Sequence, residues 1–365
     1  MRNTKICFYV LILCLFICNC SIHKTDYNKA ILSNDERNPL VYFGLLSNGE
    51  FLYYQTEDGA AAFYSYNSID GNTTSIGKVD NYYLDTGSAV LLNNRLYFYA
   101  TISGVNNSLK NVLFNIDISN KKINRNEKDD NSLAGLYIYQ LSDSVISLKT
   151  ERNEDIVTTY LELFNAKNET WTRFGVNEFN EELRTGSALY VMYADGDHAF
   201  VIQDIYDQSG ICESYFVQYD DSMNEQQRIL LQGDVKNFLT NGRGRITEMK
   251  VWHDFVYLKN ISSSGFLGQI EGTSIIEIKQ DNEFITASTL YINDEPLFYT
   301  RQGDRYFTLN MESGLLNENQ VRAEDEHCFL QVWTANESIA IVVQSAHGPD
   351  IQCFGKRKNL SQLMI

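Results

Sequence analysis

Residues 88–122 read SAVLLNNRLYFYATISGVNNSLKNVLFNIDISNKK. Three apolar runs stand here: SAVLL (88–92), LYFYA (96–100) and VLFNIDI (112–118). Asn93-Asn94 separates the first two. Asn tolerates left-handed backbone, so this pair between apolar runs reads as a hairpin turn. Short runs rich in Tyr, Phe, Val and Leu are strands rather than helices, which need more length. Asn120-Lys121 makes a further turn, and KKINRN supplies a weaker fourth strand. The stretch thus predicts one antiparallel unit of four strands, here A, B, C and D.

The same unit recurs along the chain. Its A–B turns fall at Asn48-Gly49, Asn93-Asn94, Asp143-Ser144, Asp195-Gly196, His253-Asp254, Asn293-Asp294 and Asn336-Glu337. The B strands after them read FLYYQ, LYFYA, VISLK, AFVIQ, FVYLK, LFYT and IAIVV. Consecutive turns lie 40 to 58 residues apart. A second marker keeps step. Thr86-Gly87-Ser88-Ala89 returns as Thr185-Gly186-Ser187-Ala188 and, shortened, as Thr286-Ala287-Ser288, each time two units on. Repeats of this period built from four strands are the blades of a β-propeller. The expected fold is therefore all-β, a propeller of seven four-stranded blades, with six as the alternative.

In the fifth unit EMKVW (248–252) is taken as A, SIIEIK (274–279) as C and EFITA as D, which leaves Asn260 to Thr273 as a long B–C loop. Arg228 to Leu231 is assigned to the fourth strand of unit four rather than to a long helix. SQLMI at the C-terminus is the expected last D strand. The phrase NNRLYFY…LFNIDISNKK resembles kelch-type and TolB-like blades, and LFNAKNETWT (163–172) is the most kelch-like piece. The paired glycines of kelch repeats, the Asp-boxes of sialidases and the Trp-Asp endings of WD40 blades are absent. The resemblance covers residues 40–365 and implies a closed ring, with nothing about activity.

The N-terminus is set apart. Arg2 and Lys5 precede an apolar run from Ile6 to Ile17, too short to span a bilayer as a helix and suited to a signal peptide over residues 1–20. Ile17-Cys18-Asn19-Cys20-Ser21 resembles the lipobox of bacterial lipoproteins, which implies a secreted protein lipidated at Cys20 and held at the extracytoplasmic face of the cell membrane. Free secretion is the alternative. Ser21 to Asn38 is polar and aperiodic, so 21–39 is expected to be a flexible tether before a single propeller domain over 40–365.

Composition narrows the function. The formal net charge is −17, spread along the chain, which repels phosphate backbones and excludes nucleic acid as a partner. Of seven Cys, only Cys212, Cys328 and Cys353 lie in the folded part, too few for a disulfide framework; pairing of Cys328 with Cys353 is left open. No zinc spacing, nucleophile elbow, phosphate-binding loop or complete calcium loop occurs, so no catalytic residue, metal or cofactor is assigned. Asp195-Gly196-Asp197 starts like a calcium loop and is read as a hairpin turn. His198 and His253 flank equivalent turns and are read as exposed polar residues.

Propeller topology supplies the remaining clue. B–C loops and D–A connections open at one end of the ring, A–B turns at the other. The first end is the expected binding face. Tyr206 and Asp207 belong to a B–C loop there, Arg243 and Arg245 to the next D–A connection, and Phe266, between glycines, to the tip of the long B–C loop. Aromatic, cationic and apolar groups of this kind anchor interfaces. The expected function is a membrane-anchored binding or scaffold propeller that presents this face to a protein, a peptide or a wall polysaccharide. A carbohydrate-active enzyme and a structural subunit of an envelope complex are the alternatives.

Overall fold

The computed structural model describes residues 30–32, 41–45, 50–57, 60–67, 72–80, 82–83, 89–103, 109–126, 133–241, 246–262, 264–281, 284–292, 295–300, 305–320, 328–335, 338–345 and 348–354. The described residues are almost entirely strand. β1 (Ala30–Leu32) precedes an antiparallel meander of β2 (Val41–Leu45), β3 (Glu50–Glu57), β4 (Ala60–Asn67) and β5 (Thr73–Asp80). In unit two, β6 (Tyr82–Tyr83) and β7 (Ala89–Leu92) both pair with β8 (Arg95–Ser103), followed by β9 (Leu109–Asp117) and β10 (Lys122–Asn126). Unit three is β11 (Leu133–Leu141), β12 (Ser144–Asn153), β13 (Ile156–Asn165) and β14 (Thr170–Asn180). Unit four is β15 (Thr185–Ala194), β16 (His198–Asp207), β17 (Gly210–Asp220) and β18 (Glu225–Leu230).

Helix α1 (Gly233–Asn241) leads to unit five, which is β19 (Ile246–Trp252), β20 (Phe255–Asn260), β21 (Gly265–Glu271) and β22 (Ser274–Asp281). Unit six is β23 (Phe284–Ile292), β24 (Glu295–Thr300), β25 (Arg305–Leu309) and β26 (Leu316–Gln320). β27 (Cys328–Ala335), β28 (Ser338–Ser345) and β29 (Gly348–Phe354) complete the chain of strands. Units three and four share one eight-stranded sheet, joined by only two residue pairs, Phe179 with Gly186 and Asn180 with Thr185.

The B strands carry continuous apolar runs, LYFYA in β8, AFVI in β16 and FVYL in β20, because both faces of those runs are buried. Leu96, Phe98 and Ala100 of β8 pack on unit one, while Tyr97 and Tyr99 of the same strand pack on unit three. Ala199 and Val201 of β16 face unit three, and Phe200 and Ile202 face unit five. Phe255 and Tyr257 of β20 face unit six, and Val256 and Leu258 face unit four. Each core therefore lies between neighbouring sheets. The A strands lie side by side: β11 touches β7 and β15, β15 touches β19, β23 touches β27, and β27 touches β2.

Three assignments change and one holds. In unit five, C is β21 and SIIEIK lies in the outer strand β22, so the 260–273 loop shrinks to a turn between Asn260 and Gly265. Within EFITA, residues Phe284–Ala287 open β23, the A strand of unit six, instead of closing unit five. The strand reading of Arg228 to Leu231 holds: β18 ends at Leu230, and the short helix α1 starts after it at Gly233. The last sheet runs β1-β29-β28-β27, so its outer strand comes from Ala30–Leu32, within the stretch read as a tether. SQLMI lies outside the described residues.

The last sheet also answers the cysteine question. Cys328 sits on β27 opposite Gln344 of β28, and Cys353 sits on β29 opposite Ala340. The two are separated by a whole strand, about 9.5 Å, and by four positions along it. Bonded cysteines need Cα atoms roughly 4.4–6.8 Å apart, so this register keeps them unpaired with each other.

Candidate functional site

At the B–C end of units three and four, one row of paired residues crosses five strands. Val157 pairs with Phe179, Phe179 with Gly186, Gly186 with Tyr206, and Tyr206 with Ile211. Residues facing each other across antiparallel strands project to the same side of the sheet. Gly186 has no side chain, and the rings of Phe179 and Tyr206 meet beside it with centroids 4.6 Å apart. A Cβ on Gly186 would lie 2.2 Å from the Glu178 carbonyl oxygen, at a φ of +124° that favours glycine. Both rings are half-buried and Ile211, at the end of the row, is exposed.

Below Tyr206 lies a buried carboxyl. Asp204 Oδ1 accepts from the Ser214 hydroxyl at 2.6 Å, and the Tyr206 hydroxyl stands 3.4 Å from Oδ2. Burial pushes the Asp204 carboxyl up to about 6, against the pull of those two donors. Burial, followed by the Asp204 and Tyr206 charges, also raises the neighbouring Tyr190 phenol well above its ordinary value. Tyr206 therefore bridges a surface aromatic pair and a buried acid.

Asp204 has a measurable consequence. Its raised value means that the folded state holds a proton which the unfolded chain releases between about pH 4 and 6. Its contribution to stability is present at low pH and lost as pH rises through about 6. The change is of the order of 3 kcal/mol, at 1.36 kcal/mol per unit. Denaturant unfolding of wild type and Asp204→Asn should therefore diverge between pH 4.5 and 7.5, with the variant gaining relative stability at the higher pH. Parallel pH profiles would reject this role.

Tyr206 and Asp207 lie where the sequence placed them, at the B–C end, although on the last turn of a strand rather than in an open loop. Asp207 closes the turn: its carboxylate accepts from the Ser209 amide at 2.8 Å. Ser209's donors hold it below the usual carboxylate range. Phe266 is corrected. It is completely buried in β21, packed between units four and five, with its ring 5.5 Å from that of Phe238 on α1. The exposed apolar residue of that B–C turn is Ile261, and the Ser262-Ser263-Ser264 run was the signal for the turn. Arg243, Arg245 and Cys20 lie outside the described residues.

A concavity opens at the other end. A cavity of about 580 Å³ is lined by the A–B turns of units four and five, including Asp195, Asp197, His198, Trp252, His253 and Asp254. It brings His198 and His253 to one cleft. Asp195 is engaged in its own turn, accepting from the Asp197 and His198 amides. The Trp252 ring meets Phe298 edge-on at 5.4 Å, which ties it to the core. Among the described residues, no group of three or more His, Cys, Asp or Glu is placed to hold a metal ion. Among them, no helix is long and apolar enough to cross a membrane.

The chain is similar to an uncharacterized protein from Listeria monocytogenes, with 10% identity and a TM-score of 0.50 over 88% of this chain and 91% of that one. It is also similar to the β-propeller domain of the Trilobed protease from Pyrococcus furiosus, with 8% identity and a TM-score of 0.46 over 73% and 80%. The N-terminal domain of Nup159 gives 9% identity and a TM-score of 0.49 over 90% and 95%. No family model matches the chain, and no curated protein does. At such identities only the fold is in question. Its consecutive four-stranded meanders, with cores between them, define an all-β, propeller-like protein.

Proposed function

We propose that this chain is a seven-bladed propeller that acts as a docking scaffold, anchored by lipid at Cys20 on the extracytoplasmic face of the cell membrane, with its B–C end as the binding face. Seven meanders, the contact of β27 with β2, and the completion of the last sheet by β1 support a closed ring clasped by its N-terminal strand. The lipobox-like Ile17-Cys18-Asn19-Cys20-Ser21 supports the anchor. The observation that carries the binding reading is the Phe179–Tyr206 pair in a row that ends at exposed Ile211. Aromatic groups beside aliphatic tips are the usual anchors of protein and peptide interfaces.

Two experiments test this. A photo-crosslinking residue at Ile211 should capture a discrete partner in cells, and one at Thr273, an exposed site at the opposite end, should not. Capture only from Thr273 would reverse the assignment of the face. For the anchor, Cys20→Ala should shift the protein from the membrane fraction to the soluble one by tenfold or more, since loss of the acyl chains removes the main membrane attachment. Wild-type retention of that variant would remove Cys20 from the scheme.

A further inference from the structure

Three connections at the B–C end of units three to five carry exposed aliphatic tips. Leu183 is 56% exposed on the turn between β14 and β15, Ile211 is 49% exposed at the start of β17, and Ile261 is 67% exposed on the turn after β20. Other exposed aliphatics among the described residues lie apart, Leu315 on the β25–β26 turn at the opposite end, but these three share the connections of adjacent units, and such clustering marks a docking surface more often than scatter does. Around them stand exposed carboxylates: Glu154 and Asp155 on the β12–β13 turn, Glu182 beside Leu183, Asp207 and Glu213 flanking the turn into β17. Asp207 is held ionised by its Ser209 donors. Among the described cations here, Arg152 is already paired with Glu181, and Arg184, exposed beside Leu183, is outnumbered by the five carboxylates. The surface is therefore apolar points in a negative field.

The chain's own geometry says which side this end occupies. Ala30 pairs with Cys353, and Leu32 with Ile351, so β1 enters from the A–B end and runs towards the B–C end. From Cys20 to Ala30 the chain reaches at most about 35 Å when fully extended. The segment that leads back to Cys20 thus leaves its sheet at the A–B end, which puts a lipid at Cys20 on that side. A negative surface also repels anionic headgroups.

We infer, resting on the docking reading above, that the B–C end of units three to five binds a basic segment of a partner protein, one that carries aliphatic side chains among lysines or arginines, on the side turned away from the bilayer. The tips supply apolar contact and the carboxylates select the charge. Complementary charge speeds encounter and excludes acidic competitors.

The test uses the full chain in detergent at about 0.15 M salt, where long-range attraction is screened, and three fluorescent peptides. One alternates Lys and Leu, one Glu and Leu, one Lys and Ser. The Lys/Leu peptide should bind at least tenfold more tightly than the other two. Leu183→Ser with Ile211→Ser should weaken it about tenfold, and so should Glu182→Gln with Glu213→Gln. Ile276→Ser, an exposed site on the outer strand of unit five, should leave it unchanged. Equal binding of the Glu/Leu or Lys/Ser peptide, or no effect of the paired variants, would overturn the inference. So would binding of the Cys20→Ala protein to anionic vesicles that is lost with Leu183→Ser and Ile211→Ser, because that assigns the tips to lipid. Crosslinking at Ile211 that persists while peptide selectivity fails defeats only the partner's chemistry. Its absence defeats the scaffold reading itself.

Discussion

Gly186→Ala will destabilise the protein by about 3 kcal/mol or more and open the junction between units three and four. The new Cβ would stand 2.2 Å from the Glu178 carbonyl oxygen and 3.0 Å from the Phe179 Cα, so the obstacle is backbone and cannot swing away. An L side chain at positive φ costs roughly 1–3 kcal/mol, and overpacking adds a similar amount. Only two residue pairs join β14 to β15, and Gly186 makes one of them. The loss should fall locally: amides near 179–187 should exchange faster, and Phe179 and Tyr206 should lose their contact. Equal melting and unchanged exchange in Gly186→Ala would show that the close approach is not required.

Phe266→Ala should cost about 3–5 kcal/mol, the range for a large core aromatic. The side chain is fully buried, and its ring contacts Phe238, by which α1 docks on the sheets. The variant should also release α1, seen as faster exchange over 233–241. A Phe266→Ala protein with wild-type melting but impaired binding would restore this residue to the surface, as the sequence had it.

That last contrast marks how far the sequence reaches. A and B strands were legible because both faces of B are buried, which leaves continuous apolar runs such as LYFYA between Asn-rich turns. Unit five misled for a physical reason. β21 reads GFLGQIE, with glycines that look like loop. Gly268 is there because a Cβ would meet Ile275 and Phe266 within 2.8 Å. The outer strand β22 alternates more regularly and so took the place of C.

Tyr206 and Asp207 were located at the correct end by topology alone. The row that gives Tyr206 its setting was not legible, because it depends on which residue of β14 faces Gly186. The recurring Thr-Gly-Ser signal was visible, and its use at Gly186 needed the register. The three residues of β1 gave no local cue at all, since their partner strand stands at the other end of the chain.

That pairing has a consequence for how the molecule is made. Ala30 meets Cys353, so nearly the whole chain must exist before the outer edge of β29 is covered. Contacts between residues so distant in sequence slow folding, and an uncovered strand edge invites pairing with another chain. An N-terminus fixed early to a membrane would keep β1 in place while the later strands emerge. It would raise the local concentration of the correct partner over any stray strand.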